Sequence, residues 1–460
     1  MAKAKANPVQ DFSAKLDCLP QIEKKIDRTK KILENVSQFY GFKKIRFSPI
    51  ENPRNFSSLI RSTPGLEKEL VALKNKTGES FLINPLPELG LLRAYVSHRM
   101  AEWPHPLKFF VETETASAHP RELFLPDRTD EEIRLDEKNL PKNPVGIFWR
   151  PQFYLGIFGE NDPIAIAEVL QIVYRSFEEL GVKEGLGVKI NSTGCAECHP
   201  LFRSQILAYL RSRVSRLCRN CKKNFKTNPE VIFSCHEEKC QTLANNAPAV
   251  LDFLCESCKK YLRGLLEFLD ESRITYFLDA KFFHGRTLYS NIIFQVVADI
   301  LKNDGEGKEG DVEKAVLAEG GHLSRTAETF TGKHLEMAGL AVFLDAAEFF
   351  LFQQGLSSAD ESRPKVFLTQ LGDLAKKKSL GLMEMLRRGG IGVREALGKD
   401  AIKSQLKVAD HIGAEIALIL GQKEALDGTI IVRDLDSSIQ ETVPQEKLVD
   451  FLRRKLQNGN

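Results

Sequence analysis

No stretch of this sequence is apolar for long enough to cross a bilayer. Its most apolar late segment, Gly339 to Phe352, is interrupted by Asp345 and Glu348 and is too short to span one. The basic start, Met1-Ala-Lys-Ala-Lys-Ala-Asn7, has no apolar stretch behind it, which argues against a secretory signal. Net charge is also small: 65 Lys and Arg against 62 Asp and Glu leave +3. Overall charge therefore announces no nucleic-acid partner, and any such contact must come from local patches. Internal repeats and low-complexity tracts are missing as well. Together these absences point to a cytoplasmic protein with no membrane association.

What remains is ordinary globular composition, 42% apolar and 28% charged, enough for a sizeable core. At 460 residues the chain exceeds one core, and about 100 to 200 residues per domain predicts two or three. Gln21 to Tyr40 places Ile22, Ile26, Ile32, Leu33, Val36 and Phe39 at helical spacing, and Gly41 ends it. Lys43 to Ile50 alternates like a strand. The runs Leu107 to Val111 and Val145 to Phe158 also read as strands, separated by the charge-dense segment Asp127 to Lys142, an expected exposed insertion. Asp162 to Leu180 is an amphipathic helix with Pro163 in its first turn and Gly181 past its end. Ile274 to Phe283 and Leu288 to Val297 return to strand character, and Asn303 to Gly310 is a glycine-rich loop.

Past a linker at Gln353 to Pro364, strands and helices alternate. The pattern predicts strand Lys365 to Leu371, helix Ala375 to Arg388, strand Ile391 to Leu397, helix Ala401 to Ile412 and strand Ala417 to Leu420. Asp427-Gly428 reads as a hairpin turn into strand Thr429 to Asp434, and Pro444 to Leu456 as a closing helix. This predicts a mainly parallel sheet, covered on both faces, with one antiparallel strand.

Eight of nine cysteines fall between Cys195 and Cys258 as four close pairs: Cys195 and Cys198, Cys218 and Cys221, Cys235 and Cys240, Cys255 and Cys258. Zinc takes four thiolates in a tetrahedron, so four pairs are the number for two closed structural sites. Redox disulfides or buried thiols are the alternative, and spacing does not say which pair joins which. His199 and His236 lie beside cysteines and are read as bystanders, because an adjacent residue rarely reaches the same ion. Cys18 stands alone among Leu16, Leu19 and Pro20 and reads as a small hydrophobe. The cysteine region is otherwise helical over Arg203 to Arg216 and Pro248 to Leu269.

Four late segments carry a specific likeness: Gly372-Asp-Leu-Ala-Lys-Lys-Lys378, Lys403-Ser-Gln-Leu-Lys-Val-Ala-Asp-His-Ile-Gly-Ala414, Ala417-Leu-Ile-Leu-Gly421 and Gly428-Thr-Ile-Ile-Val-Arg-Asp-Leu435. In this order they resemble the anticodon-binding domain of the histidyl-tRNA synthetase family. Asn191-Ser-Thr-Gly194, Asn228-Pro229 and Asn246 to Leu254 resemble that family's helical insertion, and the likeness extends more weakly over nearly the whole chain. It implies an α+β class II synthetase-like antiparallel sheet core over 1–352, a helical zinc-binding insertion over 191–272 within it, and a C-terminal α/β anticodon-binding-like domain over 364–460. It also implies a homodimer, since Ile45 to Pro53 occupies the interface motif.

The implied partner is tRNA or a related RNA. Arg394, Lys399, Lys403 and Lys407 are the candidate contacts in the last domain. In the insertion they are Arg216 and Lys222, within a basic stretch that also holds Arg203, Arg211, Arg213, Arg219, Lys223 and Lys226. Any one of these lysines also fits a solvated helix face.

Activating an amino acid with ATP and Mg requires arginines on the phosphates, and here the resemblance breaks. The family's Arg-Pro-Glu-Gly-Thr segment corresponds to Asn84-Pro-Leu-Pro-Glu88. The strand that should end in an ATP-binding arginine reads Leu107 to Ala116, and Phe-His-Gln-Phe reads Arg150-Pro-Gln-Phe153. Arg-Gly-Leu-Asp-Tyr-Tyr reads His284-Gly-Arg-Thr-Leu-Tyr289, Gly-Gly-Arg-Tyr-Asp reads Gly320-Gly-His-Leu-Ser324, and the last motif's arginine falls near Ala346. Glycines Gly285, Gly320, Gly321 and Gly339 stay while functional groups go. Gln152, His284, Arg286 and His322 are the remaining pocket candidates, with Arg150 and Arg325 as possible substitutes from shifted positions. The preferred expectation is an RNA-binding paralogue without ordinary aminoacylation. An active, diverged histidine-tRNA ligase and a regulatory subunit with an enzyme as protein partner are the alternatives.

Overall fold

Apolar residues spaced three and four apart build the helical layer of the larger unit. In helix α1 (Pro20–Phe39) Ile26, Leu33 and Val36 are buried on one stripe. In the helix Ile164–Glu179 the stripe is Ile166, Val169, Leu170, Val173 and Phe177. That helix begins where the Asp162 carboxylate accepts the Ile164 amide at 3.0 Å, and it is followed by Gly181 at φ +99°.

The computed structural model describes Cys18 and residues 20–63, 66–83, 86–117, 148–235, 237–283, 288–301, 312–356, 365–396 and 401–457. The chain forms two units, 1–359 and 360–460. The segment Asp127 to Lys142, the loop Asn303 to Gly310 and most of the expected linker lie outside the described residues.

Strands of the first unit are β1 (Lys43–Lys44), β2 (Ile50–Glu51), β3 (Ala72–Lys74), β4 (Ser80–Ile83), β5 (Leu107–Ser117), β6 (Phe148–Phe158), β7 (Leu186–Gly194), β8 (Tyr276–Leu278), β9 (Ser290–Leu301), β10 (Val312–His322) and β11 (Met337–Phe343). Eight of them form one sheet in the order β1-β5-β6-β11-β10-β9-β7-β8, antiparallel except where β1 meets β5 and β7 meets β8. The other helices are α2 (Ser57–Ser62), α3 (Leu66–Glu69), α4 (Pro87–Ser97), α5 (Ile164–Glu179), α6 (Cys198–Arg211), α7 (Arg219–Asn224), α8 (Glu238–Asn245), α9 (Glu256–Glu271), α10 (Ser324–Thr331) and α11 (Leu344–Gln353).

Register sorts the sheet into two faces. Gly156 pairs with Gly339 and Gly339 with Gly321; Tyr154 pairs with Ala341, and Gln152 with Phe343 and Thr113. Cross-strand partners share a face, so these residues look one way, toward α4. Phe110 and Phe153 look the other way and stack at 5.3 Å in the core that α1, α5 and α11 cover.

The second unit holds β12 (Val366–Gln370), β13 (Val393–Glu395), β14 (Ile416–Leu420), β15 (Thr429–Asp434) and β16 (Gln440–Pro444), with α12 (Asp373–Arg388), α13 (Ile402–His411), α14 (Gln422–Asp427) and α15 (Leu448–Gln457). The order is β13-β12-β14-β15-β16, parallel in the first three strands and antiparallel after.

Several expectations need correcting. Gly428 is not a hairpin turn residue: at φ +67° it ends helix α14, its amide donating to the Glu424 carbonyl. Two antiparallel strands close the sheet rather than one, since Gln440–Pro444 pairs with β15. Only Tyr276–Leu278 of the run Ile274 to Phe283 is strand. Cys18 is exposed rather than a packed hydrophobe.

Candidate functional site

The face beneath α4 is where the strands bring polar side chains together. On β6, Gln152 and Tyr154 are two residues apart and so point the same way. Gln152 Nε2 donates to Thr115 Oγ1 of β5 at 3.0 Å, while its Oε1 is buried without a hydrogen-bond partner. Tyr154 is fully buried and lies across the glycines: a methyl group built on Gly339 would overlap its hydroxyl. Its phenol oxygen also has no partner. Burial pushes this phenol well above the ordinary range, and the nearby Glu88 carboxylate adds to the effect. Glu88 sits in the first turn of α4 and is itself buried. From the same helix, Leu91 packs over Gly156.

Arg150, a buried cation on this face, is already engaged. Its guanidinium stacks on the Phe343 ring at 3.6 Å, and Nε donates to Asp345 at 3.1 Å. His322 is occupied away from Gln152. It pairs with Ala338, next to Gly339, and alternation along β10 therefore puts it on the face opposite Gly321. Its Nε2 lies 3.1 Å from Glu336 and 3.3 Å from Ser324 Oγ, and its ring meets Tyr261 of α9 edge-on at 6.0 Å. Glu336 also contacts His334 at 2.9 Å. Hydrogen bonding from His322, then from Ser324, and the charges of both histidines hold the Glu336 carboxyl down at about 2. His284 and Arg286, the other two pocket candidates, lie outside the described residues. Tyr154 was missed in the sequence; its position two residues after Gln152 on a strand was the available signal.

The cysteines gather into two groups, and the grouping joins distant pairs: Cys195, Cys198, Cys255 and Cys258 in one, Cys218, Cys221, Cys235 and Cys240 in the other. Within each, all sulfurs lie within 4.8 Å of one another. Contacts of 3.6 Å for Cys195 with Cys198, 3.7 Å for Cys195 with Cys255 and for Cys198 with Cys258, and 3.8 Å for Cys218 with Cys235 can be compared with a metal tetrahedron. With metal–sulfur bonds of about 2.3 Å, its edges are about 3.8 Å, so both groups fit a thiophilic cation. In the second group, hydrogen bonding from Cys221 holds the Cys235 thiol below its ordinary value. His199 belongs to neither group; its Nε2 contacts Glu230 at 2.7 Å. His236 lies outside the described residues. The two groups are joined by an aromatic wall in which Phe202 stacks on Phe283 at 5.5 Å and Phe233 on Phe283 at 4.9 Å.

Arg216 and Lys222 are exposed beside the second cysteine group, and Arg394 is exposed on edge strand β13. Lys403 and Lys407 are one turn apart on the outer face of α13, whose inner face buries Gln405 and Ala409. No acid among the described residues forms a salt bridge with any of these five. Lys399 lies outside the described residues.

Comparison with known proteins agrees with this layout. A family model described as "Anticodon binding domain" matches residues 365–455. The chain is 29% identical over 443 residues to the histidine--tRNA ligase of Pelotomaculum thermopropionicum, covering 96% of each chain. It is 28% identical over 445 residues to that of Caldicellulosiruptor bescii, covering 96% of this chain and 97% of the other. Among solved structures, it resembles apo S. aureus histidyl-tRNA synthetase with TM-score 0.71, 23% identity and coverage of 98% and 99%. An ATP phosphoribosyltransferase regulatory subunit/histidyl-tRNA synthetase from Bacillus halodurans follows at TM-score 0.54, 14% identity and coverage of 92% and 99%. The chain belongs to the histidyl-tRNA synthetase family, and it has that family's class II core and C-terminal anticodon-binding domain.

Proposed function

We propose that this chain binds tRNA or a related RNA and does not carry out ordinary aminoacylation. The observation that carries the second half is Tyr154. Its fully buried ring fills the space over Gly156 and Gly339 on the face that also carries the pocket candidate Gln152. Arg150, four residues back along the same strand, is held by Phe343 and Asp345. Each missing preorganised contact costs about 3 to 4 kcal/mol of transition-state stabilisation, and the sequence lacks several of the family's arginines together. RNA binding is supported by the anticodon-binding domain and by exposed cations at Arg394, Lys403, Lys407, Arg216 and Lys222, which have no acidic partner among the described residues. The two cysteine groups are read as structural zinc sites. The protein is read as a cytoplasmic homodimer, the dimer from the resemblance of Ile45 to Pro53 to the family's interface motif.

Equilibrium binding of the full chain to a tRNA pool, with crosslinking and sequencing of what is retained, tests this reading. Saturable binding that weakens steeply with salt is expected. Binding no tighter than to a salt-matched polyanion would overturn it.

A second reading is an active, diverged histidine-tRNA ligase using ATP and Mg. Retention of Gln152 and the match along nearly the full length of the ligases favour it. It predicts histidine-dependent exchange of pyrophosphate into ATP. A regulatory subunit of a metabolic enzyme, the third reading, predicts copurification with an enzyme and no bound RNA.

A further inference from the structure

The two cysteine groups are alike in composition and differ at the surface. In the first, Cys195 and Cys255 are both half-buried, with their sulfurs 3.7 Å apart, while Cys198 and Cys258 lie beneath them at 2% and 4% exposure. In the second only Cys235 reaches the surface to that extent; Cys218, Cys221 and Cys240 are buried at 6%, 0% and 0%. Cys235 contacts Cys218 at 3.8 Å and is also hydrogen-bonded by Cys221; the Cys218 sulfur is further held by the Cys221 amide at 3.3 Å. One group thus has two half-buried cysteines whose sulfurs touch, and the other has one half-buried cysteine.

Thiolate oxidation follows access, and it goes on to a disulfide where a second thiol stands ready to resolve the first. We propose that the first group is a modification site for hydroperoxides, at which Cys195 and Cys255 become a disulfide and the metal ion is released, while the second group keeps its ion. This rests on the reading that both groups hold zinc. One rim thiolate attacks the O–O bond, gaining oxygen as a sulfenic acid and releasing water or an alcohol. The other thiolate attacks that sulfur, forms the S–S bond and expels hydroxide, which is protonated to water. Two thiolates, one hydroperoxide and two protons give one disulfide, one alcohol or water, and one further water. The sulfurs lose the two electrons that the peroxide gains. Two thiolates remain at the first group, too few to hold zinc in a closed site.

Position gives the event a consequence. Cys195 follows directly on Gly194, the last residue of β7, which pairs with Asn291 on β9. Losing this ion loosens the tie between the insertion and the large sheet.

The test is graded hydrogen peroxide on the full zinc-loaded chain, reading zinc by elemental analysis and disulfides by peptide mass mapping. Two zinc ions per chain before oxidation test the underlying reading. Loss of one of the two, with a Cys195 to Cys255 disulfide that a thiol reductant reverses, is expected from the inference. Disulfide mapping reads the inference even in a preparation that holds no zinc. The variant Cys255→His, which keeps four ligands and removes the resolving thiol, is expected to retain both ions at the same peroxide dose. Both ions leaving together, a disulfide among Cys218 to Cys240 instead, or Cys255→His releasing zinc as readily as the native chain would each overturn it.

Discussion

The cysteine insertion and the face of the large sheet lie in one unit and handle polar side chains in opposite ways. In the insertion, sulfurs converge on two points and cations such as Arg216 and Lys222 are turned out to solvent. On the sheet face the polar groups are turned inward and largely committed: Arg150 to Asp345 and Phe343, Gln152 Nε2 to Thr115, and Tyr154 across the glycines. The contrast shows where interaction with other molecules is still affordable. A surface of exposed cations gains by meeting phosphates, whereas a buried guanidinium already paired gains little.

On the zinc reading of the two cysteine groups, chelation is the strongest way to break this contrast. Structural zinc contributes on the order of 10 kcal/mol per site to folding, so chelation is expected to melt helices α6 to α9 and leave the second unit's sheet intact. Circular dichroism with hydrogen exchange reads it; an unchanged insertion after chelation would mean that the aromatic wall alone holds it. Next in size is Tyr154→Ala, which empties a fully buried ring and is expected to cost roughly 3 to 5 kcal/mol in a denaturant titration. Tyr154→Phe removes only a hydroxyl without a partner and is expected to be neutral or stabilising. A large loss from the Phe variant would reveal a bond to that hydroxyl.

Smaller effects are expected at the cationic surface. Lys403→Ala with Lys407→Ala should weaken RNA binding for all sequences and lower the salt slope by about 0.7 to 0.9 per lysine that contacts phosphate. An unchanged slope would return both to the role of solvated helix residues. The smallest concerns Glu336, whose carboxyl is held below its ordinary value, down to about 2. Its stabilising contribution is complete above the unfolded value near 4.5 and fades as pH falls toward 2. Glu336→Gln should therefore lower the denaturation midpoint at pH 6 and converge with the native chain toward pH 2. A difference independent of pH would contradict the assignment.

Legibility in the sequence followed the range of the interactions. Helices Pro20–Phe39 and Ile164–Glu179 were readable because periodicity and terminal signals are local. The close spacing of the cysteines within each pair was readable for the same reason. Their grouping was not, because joining Cys195 to Cys258 depends on how α6 and α9 pack across about 60 intervening residues. Gly428 misled because a glycine with positive φ serves a helix end as well as a hairpin. His322 looked like a pocket residue, but its pairing with Ala338 puts it on the sheet face opposite Gly321, where it meets Tyr261. Tyr154 escaped notice because only the strand register sets its ring over Gly339, a residue 185 positions later.

Exchange of labelled pyrophosphate into ATP tests the central claim most directly, measured with the zinc-loaded full chain, Mg and histidine. The account predicts no histidine-dependent exchange above background in a preparation that binds RNA. Exchange that saturates with histidine would contradict it and make the chain a working ligase.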